Sequence, residues 1–358
     1  MWHRRWVLPV LVACNITLLG WTTSDKQIGP ESAPDSQESA FVFLMNYVEP
    51  EDFAKIASWG INVVLVDLEA SESDWVRHYE SAIRHHLQLI PLIWGDDQAL
   101  WTWNEKAGEW ELSVERYPNS IGAQFLNFLR SNPRYLKQTY ALYGFHEPLA
   151  DPQQTGCDRL KKFYRQITRE EFPEGTLRVY NEDFSMGWDG SDQCLDEITH
   201  YESHNIYPFA KNKAEIYRPF NPESQEYDPP TNDLNATLRG EIDTLDKRLS
   251  RWANADLPPT ARRPRVVVIL QAFAAEGERD RWNLWNRMPT ASEIQQFAQH
   301  VLEQRGDQIA GFAWYPYEPV AEEYRQVLKT NRYDEQGGDR WEVIRKICAE
   351  YFLKLQSR

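Results

Sequence analysis

Glu147 closes the run Tyr143-Gly144-Phe145-His146-Glu147-Pro148, in which an apolar stretch ends in a carboxylate and a proline bars further strand. Burial beside aromatic rings holds the proton on such a carboxyl toward neutral pH, so that it can serve as a general acid. Chemistry of that kind needs a second carboxylate across a cleft, as base or nucleophile. Glu182 and Asp183 are the first candidates, then Asp67 or Glu69, then Glu318. Each of these, taken singly, is more often a rim carboxylate that is solvated or paired with arginine, because charged side chains mostly stay in water. His146, His200 and His204 suggest a different hydrolase, of phosphodiesterase type. Yet the four-residue spacing in HYESH falls near a strand end, not on a helix, where two imidazoles would share a face. No CxxC or Cys/His zinc spacing occurs, so neither a metal nor a cofactor is expected.

These residues must be positioned by something, and eight short apolar runs supply it: 41–47, 62–67, 87–94, 140–145, 177–181, 198–203, 265–271 and 310–315. Strands covered on both faces read as continuous apolar runs, not alternating ones, which marks a parallel sheet. Polar loops and helical stretches follow them. Such a chain is expected to close into a single (β/α)8 TIM barrel with loop insertions, over residues 40–358, with its chemistry at the C-terminal strand ends. Helices are predicted at 49–59, stopped by Gly60, and at 73–86, 121–129, 160–167, 234–252, 291–304 and 340–355. Residues 101–112 read as a hairpin turning at Ala107-Gly108, and 208–231 as a Pro- and Tyr-rich insertion.

At Glu147 the chain resembles the (β/α)8 glycoside hydrolase superfamily, in which Asn-Glu-Pro or Asp-Glu-Pro at the fourth strand end presents the general acid. Other stations are similar: His204-Asn205-Ile206-Tyr207-Pro208 after the sixth strand, Ile269-Leu270-Gln271-Ala272-Phe273 at the seventh, and Gly311-Phe312-Ala313-Trp314 at the eighth. The resemblance covers about residue 40 to the C-terminus. It implies a glycosidase with Glu147 as acid and a carbohydrate substrate met by Asp67, Trp94, His146, His204, Tyr207, Gln271, Trp314 and Glu318. It also implies that Trp314, Tyr207 and Trp94 line one pocket with Glu147 at its base. Two departures stand out. His146 replaces the Asn or Asp before the acid, and Gln271 occupies the place where retaining enzymes carry a nucleophilic glutamate. Glu276, five residues on, reads as a loop carboxylate. A carbohydrate-binding barrel without catalysis is therefore the alternative.

Composition agrees with a sugar partner. Among 358 residues there are 15 Trp and 17 Tyr. Most of the Trp belong to a core, but Trp101, Trp103, Trp110, Trp188, Trp282 and Trp285 fall in expected loops, where a ring face suits the C–H face of a pyranose. A net charge of −15 argues against nucleic acid or an anionic membrane surface as partner. Residues 1–23 read as an export segment, with basic 1–5 preceding apolar 6–21, too short for a confident membrane span. Leu11-Val12-Ala13-Cys14 resembles a lipobox, and cleavage near 22–24 or retention as an anchor are equally compatible. Any membrane contact would run through this leader alone. Residues 24–39, rich in Ser, Pro and acid, form an expected linker. The protein is accordingly expected outside the cytoplasm, where a Cys157–Cys194 disulfide could form, while Cys348 suits a buried free thiol on the last helix.

Overall fold

A computed structural model of the chain describes residues 41–69, 71–92, 101–104, 106, 109–112, 121–146, 179–183, 201–206, 220–221, 226–227, 239–240, 242–243, 245–246, 249–250, 265–275, 287–319 and 324–356. Eight of its strands run parallel in one sheet: β1 (Val42–Asn46), β2 (Val63–Asp67), β3 (Gln88–Leu92), β6 (Leu142–His146), β7 (Val179–Asp183), β8 (Tyr201–Ile206), β11 (Arg265–Gln271) and β13 (Gly311–Tyr315). Their order is β3-β2-β1-β13-β11-β8-β7-β6, so apart from β3 and β6, which form the two edges, each lies beside its neighbour in the chain, and the last of them lies beside the first. The two outermost strands also approach each other. A parallel bridge joins Leu89 to Thr139, and the Tyr140 amide donates to the Leu89 carbonyl at 2.7 Å.

The eight apolar runs of the sequence all reach this sheet, and β11 matches its run to the residue. The sixth run needs a correction. Strand β8 spans Tyr201–Ile206 instead of 198–203, so His204 and Asn205 lie within the strand and not after it. Register explains the shift, since His204 pairs with Val268 and Asn205 with Ile269 on β11. The predicted hairpin is present as β4 (Trp101–Asn104) antiparallel to β5 (Glu109–Leu112), with Trp103 opposite Trp110. Two further antiparallel pairs have no counterpart in the sequence reading: β9 (Phe220–Asn221) with β10 (Glu226–Tyr227), and β12 (Phe273–Ala275) with β14 (Tyr324–Val327).

Strand alternation divides the sheet's side chains into two buried layers. Phe43, Met45, Val64, Val66, Val268, Leu270, Phe312 and Trp314 face the helices. Val42, Leu44, Val63, Leu65, Ile90, Leu92, Val267, Ile269, Ala313 and Tyr315 pack against one another on the opposite, inner face. The helices are α1 (Phe53–Ser58), α2 (Glu72–His85), α3 (Ile121–Ser131), α4 (Pro133–Gln138), α5 (Ala291–Arg305) and α6 (Arg340–Gln356). Ser71 caps α2 by accepting from the Asp74 amide, and Thr290 with Glu293 forms a capping box at α5. Gly60 ends the first helical segment at φ +88°, and a Cβ there would meet the Cβ of Cys348 at 2.9 Å. That cysteine is a buried free thiol on α6, as expected, with its pKa pushed up by burial.

Arg340, at the start of α6, is the buried cation of this layer. Its guanidinium donates to the carbonyls of Pro289 at 2.6 Å, Asn331 at 2.9 Å and Tyr333 at 2.7 Å, tying the approach to α5 and the loop before α6 together. Burial lowers its pKa, while the nearby carboxylates of Asp334 and Glu293 oppose that shift. Arg340→Met keeps most of the volume but strands three carbonyls. A loss of about 2–4 kcal/mol in a urea melt is expected from buried acceptors left unmet. An unchanged midpoint would show that the three bonds are dispensable.

Candidate functional site

The C-terminal ends of β1, β13 and β11 bring Asn46, Tyr315 and Gln271 side by side. Register carries this row: Met45 pairs with Trp314, Leu270 with Trp314, and Gln271 with Tyr315. Asn46 and Tyr315 are each one residue further along. Asn46 has the strand parity of Val42 and Leu44, so it faces inward, and it is fully buried. Neither its amide nitrogen nor its amide oxygen has a hydrogen-bond partner. Each unmet buried polar group costs about 1–3 kcal/mol, so the fold gains nothing from this amide as it stands.

The next residue, Tyr47, has φ +60°, an unusual left-handed conformation for a tyrosine. Its amide donates to the Leu65 carbonyl at 2.9 Å. The Tyr47 ring meets Tyr315 edge-on, with centroids 5.7 Å apart and planes at 74°. Phe273 meets the same tyrosine at 5.9 Å and 84°. Three aromatic rings therefore gather at one end of the sheet, beside a polar side chain.

Asp67 ends β2 with the parity of Val63 and Leu65, hence on the inner face. Although the residue is exposed, its carboxyl loses part of its hydration to the surrounding chain, and Glu49 and Asp74 add negative charge. Together these raise its pKa from 3.8 to about 6. Arg77 gathers the competing acids, bonding Glu51 at 2.7 Å, Asp74 at 2.9 Å and Glu49 at 3.3 Å, and Asp67 shares in none of these pairs. The folded chain thus binds a proton at Asp67 between about pH 4 and 6 that the unfolded chain has released. Ionised Asp67 therefore destabilises the fold at neutral pH, and the penalty fades as pH falls through 6 toward 4. Asp67→Asn is expected to raise the melting temperature at pH 7.5 and to leave it unchanged near pH 4. A carbon-13 titration of the carboxyl with its midpoint near 4 would contradict the shift.

The remaining predicted residues separate by strand parity. Trp314 is corrected: it is buried on the helix-facing side, stacked on Phe43 at 6.5 Å and 18°, and cannot floor a cleft on the inner face. Tyr315, one residue on, holds the inner position. His204 is corrected likewise, since it is buried at the level of Val268 in the helix-facing layer. Gln271 is where it was expected, but both protons of its amide nitrogen are engaged, with the carbonyls of Phe273 at 3.2 Å and Arg287 at 2.8 Å. It fastens the strand end to the 287 loop, which leaves that nitrogen no proton for a ligand. Glu318 accepts from Lys329 at 2.8 Å, and Lys329 also pairs with Asp52 at 3.0 Å, so Glu318 belongs to a rim ion-pair cluster. His146 ends β6, where its backbone pairs with Glu182. Glu182 is in register with Ser203 and Asp183 with His204. The side chains of His146, Glu182 and Asp183 lie outside the described residues, as do Glu147, Trp94, Tyr207, His200, Cys157 and Cys194. Among the described residues no group of three or more His, Cys, Asp or Glu could hold a metal. Asn46 was missed, although a polar residue at inner parity in the apolar run FVFLMNY was the signal.

Solved structures offer likenesses of the fold. A glycoside hydrolase-like protein superposes with a TM-score of 0.50 at 9% identity, over 86% of this chain and 93% of its own. The likeness to that protein is one of fold. A GH99 endo-alpha-mannosidase from Bacteriodes thetaiotaomicron gives a TM-score of 0.48 at 9% identity, covering 86% of this chain and 85% of its own. A Faecalibacterium prausnitzii beta-glucuronidase gives 0.49 at 12% identity, covering 87% of this chain and 49% of its own. The chain spans about half the length of that beta-glucuronidase and of one from Bifidobacterium dentium. No protein-family profile matches the sequence, and no curated protein does.

Proposed function

We propose that the chain is a glycoside hydrolase whose sheet closes into a (β/α)8 barrel and whose cleft lies over the C-terminal strand ends. The observation that carries this reading is the inner-face row of Asn46, Tyr315 and Gln271 with Tyr47, Phe273 and the protonatable Asp67 beside it. Rings that stack on a sugar face, together with a carboxyl holding its proton near pH 6, are what acid-catalysed cleavage of a glycosidic bond requires. The Leu89–Thr139 bridge supports closure, because it joins β3 to the residues that lead into β6.

Glu147, directly after β6, is the general acid in this reading. Glu182 is preferred over Asp183 as the second carboxylate, because its register partner Ser203 has the parity of the inner layer while His204, opposite Asp183, does not. Carboxyl groups about 5–5.5 Å apart would give retention, and about 6.5–9.5 Å inversion through a water. One observation favours a second reading, that of a binding barrel without catalysis: Gln271 cannot form a glycosyl ester, and its amide is already used in the fold. The basic-then-apolar segment at 1–21 supports export, so the substrate would be an oligo- or polysaccharide met outside the cytoplasm. A screen of the chain against polysaccharides and 4-nitrophenyl glycosides decides between the two. Hydrolysis of any member establishes the enzyme, whereas binding with no cleavage at any pH from 4 to 8 leaves the binding barrel.

A further inference from the structure

Two inner-face side chains of the described strands, Asn46 and Ser203, have polar atoms that are buried and unmet. Ser203 is level with Val267, which pairs with Gly311, as does Val42 at the start of β1. It stands on β8, opposite Glu182 and three strands away from Asn46. Asn46 ends β1 at the site itself, next to the strained Tyr47 backbone and below the edge-on Tyr47–Tyr315 pair. Two independent features thus point to one spot: an amide whose donor and acceptor are both unspent, and a tyrosine held in a backbone conformation that the fold does not otherwise favour. Unspent polar atoms and local strain persist where a ligand uses them.

A carboxamide presents one donor and one acceptor side by side. Two adjacent hydroxyls of a pyranose present the complement, one O–H donating to Oδ1 while the other oxygen accepts from Nδ2. The surroundings select against charge in the ligand. Glu49, Glu51 and Asp74 crowd the end of β2 and already occupy Arg77, so a phosphate or uronate would meet repulsion, with no cation to spare there among the described residues. We propose that Asn46 is a specificity residue that binds two neighbouring hydroxyls of a neutral pyranose seated against Tyr47 and Tyr315. This rests on the glycoside hydrolase reading above and adds to it the class of sugar and the residue that selects it.

The test uses the full chain and a panel of 4-nitrophenyl glycosides of neutral hexoses, N-acetylhexosamines and uronic acids, followed by mono-deoxy analogues of whichever glycoside is cleaved. The unmodified chain is expected to favour a neutral glycoside and to discriminate at least about 10-fold against one mono-deoxy form, since a site built to bond a hydroxyl rejects the ligand lacking it. Asn46→Leu, close in volume, is expected to lower kcat/KM about 100-fold on the parent glycoside and to bring the discrimination near unity. It should also melt no lower than the unmodified chain, and about 2–4 °C higher if one unmet group's penalty is removed. A purely structural asparagine would instead give a lower melt and leave the mono-deoxy discrimination as it was. Should the leucine variant not fold, Asn46→Ala gives the same kinetic readout. Either variant with parental rate and discrimination overturns the role of Asn46 and leaves the hydrolase standing. Preference for a uronic acid overturns the neutral-sugar assignment, and no cleavage of any panel member overturns the hydrolase reading and this inference with it.

Discussion

Trp314→Ala is expected to cost about 3–5 kcal/mol of stability, the range for deleting a large aromatic side chain from a well-packed core. The indole is fully buried, stacked on Phe43 and tilted against Phe312 at 6.3 Å. Its neighbours are strand and helix side chains that cannot all collapse into the space. For a chain of this size the melting temperature should fall by roughly 5–10 °C, at about 1.5–2 °C per kcal/mol. Trp314→Phe keeps a ring against Phe43 and deletes an indole N–H that has no acceptor, so its cost should be far smaller. At a temperature where Trp314→Ala remains folded, KM for a cleaved glycoside should stay within a few-fold of the parent. An unchanged melt together with a large rise in KM would return Trp314 to the cleft.

The case of Trp314 shows what the sequence could and could not decide. Parallel strands buried on both faces read as unbroken apolar runs, which is why all eight were found, the fifth displaced by two residues and the sixth by three. The same property removes the polar face that would tell one parity from the other. In Gly311-Phe312-Ala313-Trp314-Tyr315 nothing marks whether Trp314 or Tyr315 points to the helices, and the packing of Phe41 and Phe43 on Tyr351 of α6 is what settles it. Asn46 was the exception that could have been used, because a single amide in an apolar run breaks the symmetry of β1. The displaced sixth strand has a related cause. His204 and Asn205 look like loop residues by polarity, yet their register partners Val268 and Ile269 draw them into the sheet. Pairings such as β12 with β14 join segments about fifty residues apart, and no local pattern announces them. The capped and periodic helices α2, α5 and α6 were legible within one or two residues, since their signals are local. The shift at Asp67 was not legible, because it arises from Glu49 and Asp74, which only the fold brings near.

Glu147→Gln is the second large expected effect and bears most directly on the claim that this chain cleaves glycosides by acid catalysis. A glutamine keeps the shape of the side chain and cannot deliver a proton. Removal of a general acid typically lowers the rate about 10²–10⁴-fold. The loss depends on the leaving group: an alkoxide needs the proton, whereas a 2,4-dinitrophenolate leaves largely without it. The measurement is therefore kcat/KM for Glu147→Gln and the unmodified chain on one cleaved sugar carrying each aglycone in turn. The account predicts a fall of at least about 100-fold on the alkyl glycoside and a much smaller one on the dinitrophenyl glycoside. Equal rates for the two proteins on the alkyl glycoside would contradict it.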